Sequence, residues 1–265
     1  SYATLLLLAL LLAVRDSLSL TLWLARRIGV DWRLPFSPDV QRIGLAAIAL
    51  ALGGFGVWQS VRVPAVRTVE IAVPNLPRSF DGFSIVQLSD LHIGPLLKRD
   101  WLQDVVRKVN ALTPDSVVLT GDMIDGGPKT LKRDVQPLAK IVARHGVYGV
   151  TGNHEYYYGV HAWSSIFKKL GVDMLYNEHR VISVGEADLV IAGVPDPRAE
   201  RFGDIPPDLE KALKDAPNTT CILLAHQPSV AADNQNVDIQ FSGHTHGGIM
   251  FFLKHIVASF NNGFV

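Results

Sequence analysis

The chain has 265 residues, room for one sizeable domain and further elements, and 48% of them are hydrophobic. Lys and Arg together number 25, as do Asp and Glu, so the formal charge is zero; no global basic field draws in nucleic acid, and that partner class is not expected. A single cysteine, Cys221, excludes an intramolecular disulfide.

The apolar excess lies at the N-terminus. Residues 1–14 are apolar, then Arg15 and Asp16 interrupt before residues 17–25 resume the pattern. A charged pair at mid-bilayer is expensive. Residues 1–14 are therefore expected to be the end of a transmembrane helix, and 15–42 an amphipathic, interfacial segment and loop. Residues 43–61, IGLAAIALALGGFGVWQSV, carry no charge and as a helix reach about 28 Å, close to the bilayer core. Arg42 and Arg62 flank them and Trp58 lies near one end, as an interfacial anchor does. A buried core helix is the competing reading, but Gly53, Gly54 and Gly56 suit a membrane helix better. The first loop carries Arg15, Arg26, Arg27, Arg33 and Arg42, and the stretch after the second span Arg62, Arg67 and Arg78. The positive-inside bias puts that loop in the cytoplasm and the following domain outside it.

From about Val69 the composition becomes that of a globular α/β domain. Strands are predicted over 83–88, 116–120, 146–151, 188–193, 220–225 and 238–242, and helices over 101–112, 131–144 and 160–170. Asn75-Leu76-Pro77 and Pro206-Pro207 mark loops.

The strand ends share one pattern. FSIVQLSDLH finishes in Asp90 and His92, SVVLTGD in Asp122, GVYGVTGNHE in Asn153 and His154, CILLAH in His226, and DIQFSGHTH in His244 and His246. In α/β sheets ligands collect at the carboxyl ends of strands. Any one of these fragments alone is explained by a turn or a solvated histidine, but five in succession at five strand ends are not. Asp90, His92, Asp122, Asn153, His226, His244 and His246 exceed what one ion needs. Two ions sharing a carboxylate use them all. Oxygen and nitrogen donors without thiolate suit Mn, Fe, Zn or Co.

DLH, GDMID, GNHE, the lone His226 after a strand, and GHTHGG together resemble the calcineurin-like metallophosphoesterase superfamily, over roughly Val69 to Met250. With the N-terminal spans they are similar to its membrane-anchored bacterial branch, related to hydrolases of UDP-2,3-diacylglucosamine. The resemblance implies an α/β fold, a two-sheet sandwich flanked by helices, in the cytoplasmic membrane of a bacterium. It implies two divalent metal ions, one on Asp90, His92, Asp122 and His246, the other on Asp122, Asn153, His226 and His244, with Asp122 bridging. His154 would face the substrate as the catalytic acid or transition-state stabiliser. Ile249 stands where related sequences often carry Gln, and the domain at 69–265 is expected to lack its C-terminal strands.

Other residues keep two readings. Asp125 orients a ligand or caps a turn. Tyr156, Tyr157 and Tyr158 line a leaving-group pocket or, the favoured reading, pack into the core. Asp196 and Arg198 sit near the site or form a Pro-bounded turn. Gly247 and Gly248 let the backbone pass close to the ligands. The expected function is a membrane-anchored dinuclear-metal hydrolase of a phosphoester or pyrophosphate bond. Its partner would be a phosphorylated small molecule or a lipid-linked substrate. The alternatives are a broad phosphodiesterase on soluble nucleotides and a catalytically silent membrane sensor or scaffold.

Overall fold

The computed structural model describes residues 2–231, 236–246, 255, 258 and 259. The chain divides into two units, Ser1–Arg62 and Val63–Val265. Gly247, Gly248, Ile249 and the expected loss of closing strands lie outside the described residues.

The first unit is two helices, α1 (Tyr2–Arg26) and α2 (Pro38–Ser60), each long and apolar enough to cross a membrane. Helix α1 does not stop at Val14 as expected but runs on through Arg15 and Asp16. The polar groups of that turn have partners: Arg15 Nε donates to Gln41 Oε1 at 2.9 Å, Arg15 Nη1 pairs with the Asp16 carboxylate, and the Ser19 hydroxyl donates to the Arg15 carbonyl at 2.9 Å. Segment 15–42 is therefore divided between the end of α1, a connection and the start of α2. Helix α2 begins before residue 43 because Ser37 caps it, accepting from the Val40 amide at 3.4 Å, and Pro38 suits a first turn.

The second unit is built on two four-stranded sheets. Strands β1 (Ile85–Leu88), β2 (Ser116–Thr120), β3 (Val147–Val150) and β4 (Asp173–Met174) form a parallel sheet in that order. Strands β5 (Glu178–Val184), β6 (Ala187–Gly193), β7 (Cys221–Leu224) and β8 (Ile239–Phe241) form the other. Within it β5 and β6 are antiparallel, and the remaining pairs are parallel.

Alternation along the strands makes the sandwich. Val118, Val150, Ile182, Leu189, Ile191, Ile222 and Leu224 meet in one cluster drawn from both sheets. Their neighbours point the other way: Val117 and Leu119 pack with α3 (Arg99–Ala111) and α6 (Val160–Lys169), while Val190, Ala192, Cys221 and Leu223 pack with Ala212 of α7 (Leu209–Ala212). Helix α3 contributes Leu102, Val105, Val106 and Val109, one apolar face at 3.6-residue spacing.

The helix predicted over 131–144 is absent. A short α4 (Pro128–Leu131) is followed by a 3₁₀ turn at Gln136–Lys140. Pro137 has no amide to donate and its ring crowds the preceding turn. Asn110 then takes up freed backbone groups, donating to the Lys140 carbonyl at 2.7 Å and accepting from the Val142 amide at 3.0 Å.

Candidate metal centre

Parallel register brings the predicted strand ends together. Leu88 lies opposite Leu119, and Thr120 opposite Val150, so the loops carrying Asp90, Asp122 and Asn153 leave the same edge of the first sheet. The loops then zip to one another: the amides of Asp90 and His92 donate to the carbonyls of Gly121 and Asp122, both at 3.1 Å. In the second sheet Leu224 lies opposite Phe241, and beyond them the Gly243 amide donates to the His226 carbonyl at 2.9 Å. Gln87 joins the two edges, its Nε2 donating to Thr120 Oγ1 and to the Ser242 carbonyl, each at 2.8 Å. At Gly121, φ is +93°, and a Cβ would lie 2.6 Å from the Gly152 amide nitrogen and 2.7 Å from His226 Nδ1. Only glycine lets three of the loops close.

Three groups of donors result among the described residues; one of them, His92, Asp125 and His154, shares His92 with the first of the other two. Asp90, His92 and His246 offer atoms within 4.8 Å of one another, and so do Asp122, His226 and His244. In the first, His246 Nε2 is 3.3 Å from Asp90 Oδ1 and 3.2 Å from His92 Nε2. In the second, His226 Nε2 is 3.2 Å from Asp122 Oδ2 and 3.2 Å from His244 Nδ1. Among the described non-glycine residues with positive φ are Asp90, His92, Asp122, His244 and His246, at 51°, 44°, 53°, 72° and 50°. Side chains with a Cβ rarely adopt this backbone region, and such strain gathers at functional sites.

The donor set fits divalent cations on observations of this structure. The Asn153 side-chain oxygen is buried and accepts no hydrogen bond. Such an orphan acceptor is costly unless something else satisfies it. In both groups two imidazole nitrogens lie 3.2 Å apart, a spacing that serves an N–H···N bond between the rings and also lets both nitrogens turn to one cation. The His226 ring is fixed for this purpose. Its Nδ1 donates to the Thr120 carbonyl at 2.8 Å, leaving the Nε2 lone pair toward Asp122.

The electrostatics run the same way. Burial opposes ionisation of Asp90, yet its bond to His246 and the nearby imidazoles hold it down at about 2. Burial also disfavours a charged His226, but Asp122 raises it to about 9. His246 is raised mainly by its bond to Asp90, and His244 is lowered by burial and by His226. Cations would compete with protons for these nitrogens.

His154 stands beside both groups. Its amide donates to Asp122 Oδ1 at 2.9 Å, its Nε2 lies 3.8 Å from Asp122 Oδ2, and its Nδ1 pairs with Asp125 Oδ1. The same Asp125 oxygen is 3.0 Å from His92 Nδ1, so one carboxylate orients both rings. Of the two readings of Asp125, the structure carries the orienting one. Asp196 satisfies both of its readings: it is buried, caps its turn through the Arg198 amide at 2.7 Å, and accepts from Gln227 Nε2 at 3.0 Å beside His226. The tyrosines divide. Tyr156 is buried, whereas Tyr157 and Tyr158 are exposed near His154.

Sequence reasoning gave Glu155 no role. This residue of α5 (Asn153–Tyr158) is fully buried and accepts from the amides of Asp122 (2.9 Å), Met123 (2.8 Å) and Gly152 (2.7 Å). It clamps the loop after β2 to the loop after β3. Burial and the Asp122 charge push its carboxyl up to about 7, against the pull of the amides. An acidic residue three positions after Gly152 at a helix start was the available signal.

Comparison with known proteins gives a consistent match. The calcineurin-like phosphoesterase family model matches residues 83–248. A Bos taurus protein named "Transmembrane protein with metallophosphoesterase domain" is 38% identical over 221 residues, 78% of this chain and 50% of its own length. Its Danio rerio namesake is 38% identical over 235 residues, 84% of this chain and 54% of its own. An uncharacterized metallophosphoesterase of Aquifex aeolicus is 33% identical over 213 residues, 79% of this chain and 80% of its own. The chain thus spans about half the length of the vertebrate relatives, at 50% and 54%.

Proposed function

The chain belongs to the calcineurin-like phosphoesterase family, and from that premise we propose that it is a membrane-anchored, dinuclear-metal hydrolase of a phosphoester or pyrophosphate bond in a lipid-linked substrate. One observation carries the reading: oxygen and nitrogen donors that follow four strands distant in sequence, β1, β2, β7 and β8, converge in two adjoining groups, with the partnerless Asn153 oxygen buried after β3. Asp90, His92, Asp122 and His246 would hold one ion, and Asp122, Asn153, His226 and His244 the other, with Asp122 shared. Divalent ions of the Mn, Fe, Zn or Co kind, when bound there, supply a Lewis acid for phosphoryl oxygens and make water a nucleophile at neutral pH.

The chain's own residues do the rest. His154, with Nδ1 engaged by Asp125, keeps Nε2 for the proton that the departing oxygen needs. Asp125 holds that tautomer and the His92 ring together. Glu155 and Gly121 fix the spacing of the loops, so the donors are positioned before substrate arrives.

Anchoring is supported by the two apolar helices and by the names of the vertebrate relatives. Residues 43–61 would span the membrane and 69–265 would form the hydrolase domain, on the outer side of the cytoplasmic membrane if the host is a bacterium. Both vertebrate and bacterial relatives match, so the family assignment does not depend on the bacterial branch. Tethering raises the local concentration of membrane-borne substrates, which favours a lipid-linked one. The test is hydrolysis of an aryl phosphodiester by purified protein stripped with chelator and then given Mn or Zn. Activity should vanish and return. Activity indifferent to chelation, or absent at every metal tried, counts against the hydrolase.

A further inference from the structure

An aromatic run leads away from the centre. The His154 ring lies 5.4 Å from Tyr157 and 6.2 Å from Tyr158, Tyr157 lies 5.9 Å from Phe202, and Phe202 lies 6.0 Å from Tyr156. Tyr157, Tyr158 and Phe202 are 46%, 38% and 53% exposed, although large apolar rings gain most from burial. The run ends in a hollow of about 230 Å³ whose wall has Tyr156, Val160, Ala162 and Phe202 on its apolar side, and His161 and Asp204, 3.7 Å apart, on its polar side. The local fold sets this up. Successive side chains of α5 are turned about 100° from one another, so Tyr157 and Tyr158 face outward while Tyr156 stays in the core, and Gly159, with φ of +103°, ends the helix after them. Phe202 comes from a separate 3₁₀ segment, Pro197–Phe202, which Asp196 anchors beside Gln227. Two distant pieces of chain therefore present half-exposed rings on one path that begins at His154.

We propose that Tyr157, Tyr158 and Phe202 form a specificity wall along which the apolar part of the esterified group lies, reaching the hollow at Phe202, so that the enzyme selects amphiphilic phosphoesters over small polar ones. The inference rests on the phosphoesterase reading above and names the substrate class of that site. An apolar group laid along the wall covers rings now in contact with water, and it does so while the phosphoryl group stays at the donors beside His154. An alkyl chain and an aryl ring share this chemistry.

The experiment compares methyl-, octyl- and phenylphosphonate as competitive inhibitors of aryl phosphodiester hydrolysis by the full chain in detergent, with metal restored. Each probe keeps the same phosphoryl anchor and differs only in its apolar group. Octylphosphonate is expected to inhibit at least about tenfold more tightly than methylphosphonate, the gain from burying about two methylene groups. Phe202→Ser and Tyr157→Ala, both at half-exposed positions, should bring that ratio toward one, and Phe202→Leu should restore most of it. Phenylphosphonate matching the octyl probe assigns a ring to the wall, and lagging behind it assigns a chain. Equal inhibition by all three probes in the native protein, or an octyl preference untouched by Phe202→Ser, overturns the wall while leaving the hydrolase intact. No inhibition by any phosphonate likewise overturns the wall, whereas absence of aryl phosphodiester hydrolysis with every metal restored overturns the hydrolase reading itself.

Discussion

Replacing Glu155 by Ala removes the carboxylate that three buried amides share, those of Asp122, Met123 and Gly152. A buried donor left without a partner costs about 1–3 kcal/mol. Taking the lower end for each amide, to allow for loop relaxation and entry of water, Glu155→Ala should destabilise the metal-free protein by about 3 kcal/mol. For a unit of this size that lowers the melting temperature by about 6–12 °C. Glu155→Gln keeps the shape but replaces one accepting oxygen with a donor, so it should fall between the native protein and the alanine variant. The assay is thermal unfolding of chelator-treated protein, with amide hydrogen exchange at Asp122 and Gly152 as the local readout. Exchange there should accelerate more than at Val105 or Val109 of the outer core. A melting temperature unchanged within about 1 °C, or exchange no faster at those amides, refutes the clamp.

Three further outcomes are expected. His154→Ala should retain its metal and lose turnover by about 10²–10⁴-fold, measured as kcat on an aryl phosphodiester beside metal analysis; unchanged turnover removes the assigned role. Burial disfavours the Asp115 carboxylate, but hydrogen bonds from Ser84 and the Arg144 charge more than offset it and hold its pKa below the usual range. A depressed carboxylate stabilises above its unfolded pKa and ceases to do so as pH falls through its folded one, so Asp115→Asn should lower stability at pH 7 and flatten its decline below about pH 4; an unaltered profile in acid contradicts this. In intact bacterial cells expressing the chain, external protease should reach the hydrolase domain, and digestion confined to inverted vesicles reverses the topology.

The site was legible because each donor follows a short apolar strand and belongs to a residue type that binds metal in its own right. Asp90, Asp122 and His226 needed no knowledge of their partners to be singled out. Glu155 did: its spacing from Gly152 signals the local cap, but its bonds to the amides of a loop more than thirty residues away are revealed by no spacing. Helix α1 was cut short for a related reason: the groups that satisfy Arg15 include Gln41, far along the chain. The unread strand β5 is an edge strand with a half-exposed, polar pattern, and Arg180 within it is paired with Asp173 of the neighbouring sheet. The break at Pro137 was readable, since proline in a helix interior removes a hydrogen bond whatever surrounds it. The tyrosine triplet divides because all three lie in one short helix, where successive side chains point about 100° apart and only one of them can face the core.

The most direct measurement is the metal content of the purified chain, loaded and desalted, beside that of Asp122→Asn. Two ions per native chain are expected, with both lost together in the variant if, as proposed, the Asp122 carboxylate serves both. Fewer than two ions in the native protein, or two retained by Asp122→Asn, would contradict a shared dinuclear centre.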